Sequence, residues 1–82
     1  MTDAEKHGYV ARTVADLLRI PVGDPAPTLD NDQDVEEWTK TAAGLTNMRD
    51  LDEVFRFNNL PLRFESKLVK IRKLWNFILL QV

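Results

Sequence analysis

A chain of 82 residues without a cysteine has room for one domain and can draw on neither disulfides nor thiolate zinc sites, the usual reinforcements of small folds. With 44% hydrophobic and 29% charged residues it is too apolar for disorder throughout. The longest purely apolar run, Phe77 to Leu80, is far short of the ~20 residues a membrane-spanning helix needs.

The net charge of −2 conceals an asymmetry: residues 1 to 62 carry twelve acids and six bases, whereas residues 63 to 82 carry Arg63, Lys67, Lys70, Arg72 and Lys73 against Glu65. Such a split can steer a basic segment to nucleic acid or to an acidic partner. It can also be satisfied when the basic segment packs on its own acidic domain, the outcome expected here. The opening, Met1 to His7, is acidic and has no apolar run behind it, which argues against a secretory signal and makes the cytoplasm the expected setting.

Val10, Val14, Leu17 and Leu18 recur at helical spacing, and Thr2 or Asp3 can cap the start, so helix one is expected over about 3–19. Pro21 stops it. Residues 21–31 hold Pro21, Gly23, Pro25 and Pro27 and read as a stiff, extended crossover with little apolar content. Asp30, Asp32 and Asp34 then precede Val35, Trp38, Ala42 and Leu45. Acids at a helix start suit the macrodipole, and helix two is expected over 32–43, with Gly44 as its stop.

Thr46 or Asn47 can cap a third helix over 48–57, with Met48, Leu51, Val54, Phe55 and marginally Phe57 on its inner face. Pro61 suits a first helical turn, which predicts helix four over 61–80. Along it, Phe64, Leu68, Ile71, Trp75, Ile78 and Val82 step by 4, 3, 4, 3 and 4, a heptad seam. The expected fold is therefore all-α: a compact bundle of three to four helices in a single domain, with a long Pro-rich crossover after helix one.

Helix four changes character along its length. The stripes occupied by Lys70 and Lys73 in its earlier turns pass to Phe77 and Leu80 in its last ones, and Leu74 and Leu79 widen the seam. A helix apolar all round is normally buried all round. This places the expected protein interface at Leu74, Trp75, Phe77, Ile78, Leu79, Leu80 and Val82, with Lys70 and Lys73 as a charged rim. The partner is a second copy or a larger complex.

Other functions find less support. The run Asp30 to Asp34 offers oxygen ligands at the first positions of a calcium loop, but Val35 stands where the turn needs glycine and Thr41 where a bidentate glutamate closes the site. His7 is the only histidine, expected exposed, and nothing adjacent builds a triad around it. Glu36 and Glu37 lie in a polar stretch rather than in the contrasting environments an acid–base pair needs. No catalytic residue, metal site or cofactor is expected. Helices two and three resemble a helix-turn-helix only in outline, because the second would present Asp50, Asp52 and Glu53 to phosphates.

The alternative is a small nucleic-acid-associated regulator that uses Arg63, Lys67, Lys70, Arg72 and Lys73, with Phe64 and Trp75 nearby. Both aromatics lie on the seam, where core packing is their commoner role. A membrane-surface helix has the same basic, tryptophan-bearing form, but the body of the chain is acidic.

Overall fold

The computed structural model describes residues 2–82. Among them lie four helices and no strand: α1 (Asp3–Leu18), α2 (Asp32–Leu45), α3 (Met48–Phe57) and α4 (Lys67–Gln81). Each starts at a short polar side chain that accepts from the otherwise unsatisfied N–H groups of the first turn. Thr2 accepts from the Glu5 N–H, Asn31 from those of Gln33 and Asp34, Asn47 from that of Asp50, and Ser66 from that of Val69. Asp32 and Asp34 sit in the first turn of α2, where their charge opposes the helix dipole.

Four boundaries differ from the sequence expectation, among them the end of α4, at Gln81 instead of residue 80. α4 begins at Lys67, not at Pro61. Asn59 adopts a left-handed backbone (φ 59°), Leu60 N–H closes back on the Phe55 carbonyl at 2.8 Å, and residues 60–66 run as an irregular loop until Ser66 caps the helix. Phe64 thereby leaves the heptad seam. α2 continues through Gly44 to Leu45, because the backbone turns extended only at Thr46, whose N–H still bonds the Ala42 carbonyl. The glycine had no need to stop it.

α1 ends one residue before the expected position. Arg19 takes the left-handed conformation (φ 56°) and its N–H reaches the carbonyls of Ala15 and Asp16, with Ile20 N–H also bonded to Ala15. That capping pattern is one that glycine usually fills.

Packing is organised around α4, which touches α1, α2 and α3; α1 also meets α3, while α2 meets no helix but α4. The shared core contains Val10, Val14 and Leu18 of α1, Ala42 of α2, Leu51 and Phe55 of α3, and Ile71, Leu74, Trp75 and Ile78 of α4. The Cα radius of gyration is 11.8 Å, close to the ~12 Å of a compact domain of this length.

The segment between α1 and α2 contributes more than its proline content suggested. Ile20, Val22, Ala26 and Leu29 pack against the core, and the Trp38 indole N–H donates to the Val22 carbonyl at 3.0 Å. A glycine at position 23 (φ 83°) and a cis bond between Asp24 and Pro25 accompany this path. His7, expected exposed, is largely covered and lies 3.8 Å from Asp30.

Two substitutions test these boundaries. Ser66→Ala should cost about 1 kcal/mol in denaturant unfolding; were the helix to start at Pro61, position 66 would be interior and alanine would stabilise it. Arg19→Gly should raise stability by about 0.5–1 kcal/mol by removing the side-chain penalty of the left-handed backbone, and a loss would contradict the cap geometry.

Candidate protein interface

The residues of the apolar C-terminal turns fall into three groups. Leu74, Trp75 and Ile78 belong to the chain's own core. Phe77 and Leu79 are half-buried against it. Leu80, at 86% exposure, and Val82 face solvent. The reason is the position of α4: a helix with neighbours on three sides has to be apolar around most of its circumference. Much of the surplus read from the sequence is used inside the chain.

The solvent-facing remainder joins residues from two other helices. Tyr9, Thr13 and Leu17 of α1 recur every four residues and therefore share one face. Together with Phe77, Ile78 and Val82 they line a cleft of about 650 Å³ that contains no charged side chain. Leu17 also lines an adjoining cleft of about 320 Å³ with Val54 and Phe57, edged by Arg19, Asp50 and Glu53. Leu80 stands one turn beyond Phe77 on α4 but lines neither cleft. Apolar surface thus runs from Tyr9 across the end of α4 to Phe57.

Tyr9, Leu17 and Phe57 were not among the expected interface residues. A period-four stripe at Tyr9, Thr13 and Leu17, beside the core stripe at Val10, Val14 and Leu18, was readable in the sequence. Phe57 carried no such signal. The helical pattern had placed it at the margin of the inner face, whereas it is 85% exposed, because it occupies the last turn of α3, past Phe55, the last fully buried side chain of that helix.

The basic residues are dispersed by the same packing. Lys70, expected on a rim, is only 3% exposed. Its ammonium donates to Asp52 of α3 at 2.5 Å and lies 5.9 Å from the centre of the Phe55 ring. Lys73 donates to Glu65 in the preceding loop. Arg63, Lys67 and Arg72 make no ion pair among the described residues. The two aromatics of the basic segment also part company: Phe64 is fully exposed, and Trp75 is buried edge-on to Trp38, with ring centroids 4.9 Å apart and planes at 82°.

Lys70 allows an asymmetric test. Asp52→Ala strands a buried ammonium and should cost about 2–3 kcal/mol, below the ~3–5 kcal/mol of a fully buried broken pair because Asp52 is half-exposed. Lys70→Met keeps the stem's packing, removes the desolvated charge and should be within about 1 kcal/mol of the parent. Equal losses for both variants in urea titrations would mean that the ammonium is not buried as described.

No described helix is long and apolar enough to cross a membrane. Compared with known proteins, the chain matches no family model, and neither a curated protein nor a solved structure is significantly similar to it.

Proposed function

We propose that this chain is a non-enzymatic, cytoplasmic interaction module that associates with a second copy or serves as a small accessory subunit. It docks through the apolar face that the end of α4 shares with α1 and α3. The observation that carries this reading is the apolar surface that runs from Tyr9, Phe77 and Val82 across Leu17 to Phe57, with Leu80 exposed on the outer side of the same terminal turns of α4.

Magnitudes support it. A whole aromatic side chain presents about 150–250 Å², so the exposed fractions of these residues amount to roughly 500 Å², in the upper part of the range for the largest patch on a monomer. Burying one large apolar side chain is worth ~1.5–3 kcal/mol. Leaving Phe57 and Leu80 in water therefore forgoes an appreciable part of the ~5–10 kcal/mol that holds a small domain together. The uncharged lining of the larger cleft fits the charge-depleted centre of protein interfaces, with Arg19, Asp50 and Glu53 placed as rim.

The basic residues give less support to nucleic-acid binding than they did as a sequence. Lys70 and Lys73 are held by carboxylates, so a phosphate surface would rest on Arg63, Lys67 and Arg72 on an otherwise acidic body.

A photo-crosslinking residue at position 80, with one at Glu36 on the exposed face of α2 as control, tests the proposal in the native host. A specific adduct at position 80 alone is expected, and its mass distinguishes self-association from a foreign partner. Leu80→Glu should abolish the adduct, formed instead from position 81, while changing stability by no more than about 0.5 kcal/mol. Equal labelling at positions 80 and 36, or none at 80, would remove the reading.

A further inference from the structure

A cleft outside the α1–α4 face lies between the start of α3, the loop before α4 and the first turns of α4. It shares no lining residue with the clefts described above. Its volume is about 610 Å³, within the range of pockets that hold small ligands. Met48, Leu62 and Phe64 supply apolar walls, and Asp52, Arg63, Glu65 and Lys70 the polar ones. Phe64 buries essentially none of its ring against the chain, at 112% of its reference exposure. An aromatic ring in water beside a cleft lacks the contacts that a ligand's apolar body would provide.

Of the charged groups that line the cleft, Arg63 is the one without an ion pair among the described residues. Asp52 is held by Lys70 and Glu65 by Lys73; Arg63 is exposed, with no ion pair and no side-chain hydrogen bond among the described residues. Lys70 adds donors to spare, since an ammonium carries three and Asp52 is its one acceptor. A guanidinium presents a planar fork suited to a carboxylate.

We propose that this cleft binds a small amphiphilic carboxylate, its apolar body against Met48, Leu62 and Phe64 and its carboxylate on Arg63. The apolar patch here consists of three side chains, well short of the ~800 Å² per partner that a stable protein interface buries. A small molecule therefore fits it better than a docked domain. The site is separate from the proposed protein interface, and its success or failure leaves that reading untouched.

The test is titration of the isotopically labelled full chain with decanoate below its micelle-forming concentration, followed by amide NMR, with decanol as the uncharged control. Saturable shifts centred on Met48 and on residues 62–65 are expected, with decanol binding weaker by about tenfold, the effect of losing one charge-assisted contact at an exposed site. Arg63→Ala should weaken decanoate by about tenfold and leave decanol unchanged. Arg63→Lys should recover part of the loss. Arg63 holds no partner within the chain, so unchanged circular dichroism is expected for both variants. The proposal is overturned by an absence of saturable decanoate binding, by equal affinity for decanol, by an Arg63→Ala variant that binds decanoate like the parent, or by shifts centred on Tyr9, Leu17 and Val82 instead.

Discussion

The buried stripe of α4 is the constraint on which the rest of the structure depends. Ile71, Leu74, Trp75 and Ile78 belong to one core with residues of α1, α2 and α3, and α2 reaches the other helices through α4 alone. Without that stripe, α1 and α3 would retain contact with each other but α2 would have no helix to pack on. An isolated helix of 14 residues is marginal in water. The tie from Trp38 to Val22 and the edge-on contact of Trp38 with Trp75 show how α2 and the preceding segment are recruited together to the central helix.

A central helix in so small a fold also has to accommodate its own charges. The first turns of α4 are basic, yet Lys70 lies among core residues. The fold resolves this by placing α3 so that Asp52 meets the ammonium while the lysine stem and the Phe55 ring cover it. Glu65, the one acid within the basic segment, holds Lys73. Lys70–Asp52 alone sets a base of this segment against the acidic body, so the two bonds differ in kind: one joins helices distant in sequence, the other closes a local loop within the basic segment.

How much of this was legible in sequence follows from what each signal reports. Apolar periodicity located all four helices, and the capping candidates Thr2 or Asp3 and Thr46 or Asn47 bracketed two of the starts, which the structure assigns to Thr2 and Asn47. Proline and glycine misled because their effects are permissive: Pro61 can open a helix but did not, and Gly44 can end one but did not. Ser66, a strong cap in plain view, was the better marker of the start of α4. At the candidate site, periodicity identified which stripes of α4 are apolar, yet not how many neighbours the helix has. That number separates Leu74, Trp75 and Ile78, which are core, from Leu80 and Val82, which are surface. Tyr9, Leu17 and Phe57 join Val82 only through tertiary arrangement, which one helix's pattern does not contain.

The same arrangement determines what kind of recognition the proposed interface can support. Its apolar side chains come from α1, α3 and α4, so they form one surface only when all three helices are packed on the shared core. A partner bound there reads the folded state as a whole, unlike a groove binder that reads one amphipathic helix. Binding that is selective for the folded state adds RT ln(1 + [L]/Kd) to its stability. For a chain that has no disulfide, that linkage would make association and folding mutually reinforcing: a partner on the proposed interface would cover Phe57, and the core that positions it would in turn be held together by the partner.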